Sequence, residues 1–258
     1  VGDVFPTVAG CRWRWEAAWC SYIAFSGVYN EMLGILRNEY EKAADELATK
    51  HLYTKSRIDS DQGLAQHLAV FYWRQLITLD DPLLQLFLAK GDGKTIRSFL
   101  HELGHGIREV KDSPSEVVQS LHVLADWMLS AWKPSRDDAI KGLSAFGWWC
   151  SADVLGDPSW RLRLLGTAAR KAGSLEDINS VLEELERVAA DEPSLVIECL
   201  EYLIEGKPEN HARYFLASQS LGILEKASSA ADTRTKAKIS EIANYFGSIG
   251  HFEYRPLA

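Results

Sequence analysis

Residues 173–206, GSLEDINSVLEELERVAADEPSLVIECLEYLIEG, decide the fold class. Ile178, Val181, Leu182, Leu185 and Val188 fall at the three- and four-residue spacings that bring side chains to one face of an α-helix. Leu195, Val196, Cys199, Leu200, Leu203 and Ile204 repeat the pattern. Each segment thus has one apolar stripe and one wet face. Glu192-Pro-Ser-Leu195 opens the second helix, and Asp157-Pro-Ser-Trp160 stands thirty-five positions before it. Pro114-Ser115 in turn lies forty-four positions before Pro158-Ser159. Such spacings are those of two-helix units of the HEAT type. Short connections such as Ala172-Gly-Ser174 make successive helices antiparallel neighbours.

The stop and start signals agree. Ser113-Pro114-Ser115-Glu116 reads as a capping box with proline at the first helical position, because the serine oxygen can accept an orphan amide and the glutamate can reach back. Asp157-Pro158 repeats the cap-plus-proline device, and Ser174-Leu-Glu-Asp177 offers a serine cap. Gly173, Gly206 and Gly247 stand where helix ends take a left-handed residue. The first half predicts a long, broken helix from about Trp15 to Ala48. A loop through 56–63 and helices near 64–77 and 82–90 follow. Only Cys11–Trp15 and Leu76–Leu79 look strand-like, too few to build a sheet. The expected fold is all-α, with antiparallel helix pairs stacked as a HEAT-like α-solenoid. One elongated helical domain would span 1–258, irregular over 1–110 and regularly paired over 111–258.

Composition narrows the function. The chain is 47% hydrophobic and 25% charged, ordinary for a folded protein, with a net charge of −8. Nucleic-acid binding needs clustered Lys and Arg, and the run Arg161, Arg163, Arg170, Lys171 is too small to reverse that balance. It reads as a solvated helix face. Cys11, Cys20, Cys150 and Cys199 are scattered without a CxxC pair, as reduced thiols of a cytoplasmic protein would be. No apolar run approaches a bilayer span, and the N-terminus lacks the features of a signal peptide. The expected partners are therefore proteins, with no nucleic acid, no membrane and no cofactor.

Two strings in Gly91–His105, GDGKTIRSFLHELGH, suggest chemistry. A phosphate loop is G-x-x-x-x-G-K-[ST] delivered by a strand. Gly93-Lys94-Thr95 supplies its end, but Leu88 occupies the first glycine position and Pro82–Lys90 reads as helix. Asp80-Asp81 resembles the end of a magnesium-binding strand without rescuing the match. The bland reading is a turn between helices.

HELGH fits the zinc-protease HExxH, in which two histidines one turn apart share a metal and the glutamate acts as base. His101 and His105 are the candidate ligands and Glu102 the candidate base. Arg108 stands where the extended pattern HExxHxxGxxH needs glycine. A hairpin turning at 111–113 would bring back His122, or Asp126 one turn on, as a third ligand. The helical wheel opposes this reading. Ile96, Phe99, Leu100, Leu103, Ile107 and Val110 cluster within roughly 100°, and the two histidines lie on the far side.

Trp13, Trp15 and Trp19 with Arg12 and Arg14 could form cation–π contacts or a ligand box, and Phe146-Gly-Trp-Trp-Cys150 shares that ambiguity. Inter-helix packing is the simpler account of both. Adjacent tryptophans cannot point the same way, so one of Trp148 and Trp149 should be exposed or lie under a neighbouring helix.

Leu143-Ser-Ala-Phe-Gly-Trp-Trp149, Glu192–Gly206 and Tyr245–Leu257 together resemble the C-terminal helical region of large bacterial multidomain proteins of the NTPase and sirtuin types associated with phage defence. The likeness runs from about Leu36 to the end, and its motifs are structural. It implies an accessory HEAT-like module whose enzymatic domain lies upstream of Val1, in keeping with a start at Val rather than Met. The function expected is a non-enzymatic scaffold for protein recognition, regulation of an upstream catalytic domain, or self-association as a homo-oligomer. The alternative is a zinc-dependent metallohydrolase. On the scaffold reading, His105→Ala should shift stability by no more than about 0.5 kcal/mol, whereas Leu103→Ala in the stripe should cost on the order of 2–5 kcal/mol. Paired denaturant titrations check the ranking, and the reverse order would contradict the helix orientation.

Overall fold

The computed structural model describes residues 12–47, 60–110, 112–206 and 210–258. Among them no strand occurs. The chain forms α1 (Arg12–Phe25), α2 (Asn30–Glu46), α3 (Ser60–Trp73), α4 (Pro82–Lys90), α5 (Gly93–Glu109) and α6 (Ser115–Ser130). Two 3-10 segments follow, η1 (Asp137–Trp149) and η2 (Asp153–Leu155). Then come α7 (Pro158–Ala172), α8 (Ile178–Val188), α9 (Pro193–Glu205), α10 (Asn210–Ala230), α11 (Thr233–Ser248) and a 3-10 end, η3 (Phe252–Leu257). No helix among the described residues is long and apolar enough to cross a membrane. The long first helix is broken at 26–29, Trp15 lies within α1, and Leu76–Leu79 is a turn.

Proximity divides the chain into two compact units. The first comprises Val1–Leu103, Pro114–Leu124 and Ala131–Gly142, the second Gly104–Ser113, Ala125–Ser130 and Leu143–Ala258.

In the first unit α1 packs on α3 and α2 on α4. Arg37 pairs with Asp81, the residue that also caps α4 by accepting from the Leu83 amide at 2.9 Å. Eight residues further along α2, Asp45 meets Lys90 at 3.2 Å, so the two helices run parallel. The core between α1, α2 and α3 holds a buried polar chain. Tyr22 and Tyr40 hydroxyls lie 3.1 Å apart, and the Tyr40 hydroxyl is 2.8 Å from His67 Nδ1. Burial among Tyr22, Tyr40 and Phe71 pushes the imidazole down to about 4, with a backbone hydrogen bond at Ser26 opposing the shift. The ring is therefore neutral at pH 7, and it ends a hydrogen-bonded chain that runs through the Tyr40 hydroxyl to that of Tyr22. Trp19 stands edge-on to Tyr40 at 5.1 Å and Trp15 Nε1 donates to Glu39 at 2.9 Å, which is the packing role expected of these tryptophans. Cys11 and the side chains of Arg12, Trp13 and Arg14 lie outside the described residues, as do Lys111 and positions 48–59.

In the second unit α7 and α9 lie side by side and parallel, in register at both ends. The Ser159 hydroxyl donates to the Glu192 carboxylate near their N-termini. Near their C-termini, a Cβ placed on Gly206 would come within 1.9 Å of the Gly173 carbonyl oxygen. Both ties join residues thirty-three positions apart, two fewer than the repeat of Pro-Ser motifs suggested. Helix α8 returns between them and packs on α10, where Lys226 meets Glu186 at 2.7 Å, and α9 packs on α11, where Lys238 meets Glu201. Segment η3 folds back so that the buried Tyr254 stacks 4.8 Å from Phe246 and donates to the Ala217 carbonyl at 2.5 Å.

Several expected end signals are not used as read. Asp157 does cap α7, accepting from Ser159 N at 2.9 Å. Ser113 does not complete a capping box, since its buried hydroxyl finds no partner. Asp177, left-handed with φ 48°, precedes α8 without capping it, and the Ser174 cap does not form there. Gly173 is left-handed (φ 80°), but Gly206 is not (φ −62°); its lack of a side chain serves the close approach to Gly173 instead. Gly247 lies inside α11, and Gly250 (φ 106°) takes the turn beyond it.

The neutral His67 gives a pH signature. Unfolded, the ring takes up a proton near 6.5; folded, only near 4. The unfolded state therefore binds more protons between these values, and stability falls as pH drops through that window, by about 2 kcal/mol from pH 6.5 to 5. Thermal melts across this range should show the loss in the wild type and a flatter profile in His67→Gln.

Candidate functional site

Helix α5 carries both strings singled out in the sequence. Asp92 caps it, its carboxylate accepting from the Thr95 amide at 2.8 Å and the Thr95 hydroxyl at 2.7 Å. Gly93-Lys94-Thr95 is thus a first helical turn whose amide and hydroxyl are satisfied by an acidic side chain, not a cradle for phosphate. A Cβ on Gly93 would sit 2.5 Å from the Asp138 carbonyl of η1, so glycine is needed for contact.

The apolar stripe lies where the wheel put it. Ile96, Phe99, Leu100, Leu103 and Ile107 are buried, and Val110 is half-buried. His105 is exposed, 3.7 Å from Glu109, while His101, Glu102 and His122 are half-buried. Asp126 accepts from Trp160 Nε1 at 3.1 Å. Among the described residues no group of three or more His, Cys, Asp and Glu side chains is placed to hold a metal ion. Within HELGH, Gly104 is packed so closely that a Cβ there would stand 2.8 Å from both Trp148 Cβ and Trp149 Cδ1.

Beyond the motif, Arg108 organises a polar cluster in the second unit. Its guanidinium lies 5.1 Å above the Trp148 ring, 2.6 Å from Asp177 Oδ2 and 3.6 Å from Cys150 Sγ. Trp148 Nε1 donates to Glu176 at 2.9 Å, and the Ser144 hydroxyl reaches the same carboxylate at 3.3 Å. These partners explain why Ser174–Asp177 makes no ordinary cap, because both acidic side chains are drawn to tertiary contacts. Trp149 is fully buried, and Trp148 is the half-exposed member of the pair. Burial pushes the Cys150 thiol up to about 11 despite the nearby Arg108, so it is no nucleophile at neutral pH.

No protein-family model, curated protein or solved structure matches the chain.

The basic run on α7 is not one solvated face. Arg161 is 2% exposed, donating to the Gly156 carbonyl at 2.9 Å, the Ala152 carbonyl at 3.2 Å and buried Glu184 at 2.9 Å. Arg187 closes the other side of Glu184 at 2.7 Å. Steps of three and four residues keep to one face of an amphipathic helix, and Arg161 shares the buried face of α7 with Leu165 and Ala168. Arg163 and Arg170 point outward, onto a hollow of about 70 Å³ between α7 and α9 whose buried floor is Leu162, Gly166 and Cys199. Sequence reasoning missed the hollow because its origin, Gly166 in mid-helix opposite Cys199, has no local signature.

The buried ion pair is costly to break singly. Glu184→Gln should destabilise the fold by on the order of 3–5 kcal/mol, and Arg161→Met combined with Glu184→Leu should recover most of it, since no unpaired charge then remains inside. Urea titrations of the two variants beside the wild type check this; equal losses in the single and double variants would contradict it.

Proposed function

We propose that the chain is a non-enzymatic helical-repeat scaffold of the HEAT-like α-solenoid type, whose helix faces recognise another protein, a catalytic domain of the same polypeptide, or a second copy. The observation that carries this reading is the in-register, parallel packing of α7 on α9 with α8 returning between them. The same alternation joins α1 to α3, α2 to α4, α8 to α10 and α9 to α11. Stacking of every second helix builds long ridged surfaces out of residues that no single helix pair could present, and such surfaces are what helical-repeat proteins use for recognition. The likeness to C-terminal helical regions of phage-defence proteins adds the proposals that the scaffold is bacterial and cytoplasmic and serves an upstream NTPase- or sirtuin-type domain.

Two measurements test it together. Elemental zinc in untagged protein should be far below one per chain and unchanged by His101→Ala. A partner recovered by affinity capture should rebind when reconstituted from purified components, and substitutions on an exposed helix face should abolish that binding. One zinc per chain, lost in His101→Ala and accompanied by peptide or amide hydrolysis, would replace the scaffold with the metallohydrolase reading.

A further inference from the structure

The hollow between α7 and α9 has a rim whose chemistry selects a ligand. Arg163, Gly166, Thr167 and Arg170 follow the i, i+3, i+4, i+7 rule on one face of α7, and Leu195, Glu198, Cys199 and Tyr202 follow it on the facing side of α9. The backbone positions of the two arginines therefore lie two turns apart, about 10 Å along the helix axis, with the side-chain-free position of Gly166 between them. The Arg170 guanidinium lies over the Tyr202 ring, 5.5 Å from its centre, and the ring is fixed by its hydroxyl donating to Glu198 at 2.9 Å. Arg163 is only loosely engaged, 3.7 Å from Asp157, with both side chains more than half exposed (57% and 58%). A pair so exposed contributes little and yields readily to a better partner.

We infer that this groove binds an acidic amphipathic helix of a partner protein, with carboxylates at i and i+7 on Arg163 and Arg170 and an aliphatic side chain between them seated over Gly166. The inference rests on the scaffold reading and names the partner chemistry. A helix laid along the groove advances about 10 Å in seven residues, the separation of the two arginines, and keeps both carboxylates and the intervening apolar residue on one face. Arginine's planar fork suits a carboxylate bidentately, and on a chain of net charge −8 a paired basic rim is the local exception that draws an acidic segment. Glu198 faces the same groove and opposes any carboxylate placed toward α9, which fixes the side on which the acidic residues lie.

The probe is a displayed library of random 16-residue peptides panned against the full chain at low ionic strength. Enriched peptides should share two acidic residues seven apart around an aliphatic one. A synthetic peptide of that consensus should bind at least tenfold more weakly to Arg163→Gln and to Arg170→Gln, and more tightly to Glu198→Gln. Gly166→Ala is the control for folding. Its Cβ would meet Cys199 and Tyr202 at an ordinary 3.7 Å, so it should raise the melting midpoint while weakening the peptide, a combination that general destabilisation cannot produce. Enriched peptides whose affinity ignores all four substitutions would overturn the groove and leave the scaffold standing. Basic consensus sequences would overturn the acidic ligand, and panning that enriches nothing would count against both readings.

Discussion

The approach of Gly206 to the Gly173 carbonyl is the constraint on which the second unit depends. No side chain fits between the two backbones there, so α7 and α9 come as close as helices can at that end, and the Ser159–Glu192 hydrogen bond holds the other. With both ends fixed at one offset, the intervening positions have no freedom of register. Leu162 must face Leu195, and Gly166 must face Cys199. The hollow at Gly166 is thus a product of the same alignment that closes the interface elsewhere, and its shape is set by backbone and not by flexible side chains.

Buried polar groups do a different job in each unit. Around Arg161, three acceptors from the 152–156 turn and α8 converge on one guanidinium, and Arg187 shields the far side of the shared carboxylate. Desolvation offsets much of the attraction in such a pair, so its contribution is to single out one arrangement of turn, α7 and α8 in preference to any slid alternative. In the first unit the Tyr22–Tyr40–His67 chain joins three helices through uncharged groups. There no ion is desolvated, and the two hydroxyls and the ring nitrogen come within hydrogen-bond distance only when all three helices sit correctly.

Helices were legible in the sequence because their signal is local: the stripes at 181–188, 196–203 and 96–107 are buried as periodicity requires, with Ile178, Leu195 and Ile204 half-buried at the ends, and Asp157-Pro158 starts a helix as its chemistry dictates. What failed were local signals overruled by distant partners. Glu176 and Asp177 belong to Trp148 and Arg108, 28 and 69 positions away, and no capping rule anticipates that. Gly206 has the sequence signature of a turn residue although its use is contact, since a glycine that frees a dihedral and one that frees space are spelled alike. Arg161 is indistinguishable by charge from Arg163 and Arg170, because charge alone says nothing about which face a residue occupies. The candidate binding surface was the least legible part, being made of two half-faces that become a groove only when aligned.

That alignment also acts as a ruler. An extra residue within α7 or α9 would carry one of their two ties out of step with the other, and the helix would have to bulge or abandon a contact. An extra residue in the connection at 189–192 or at 174–177 moves neither tie. Over evolutionary time, length should therefore vary in the connections of this chain while the distance from Ser159 to Gly173, and from Glu192 to Gly206, stays at fourteen residues.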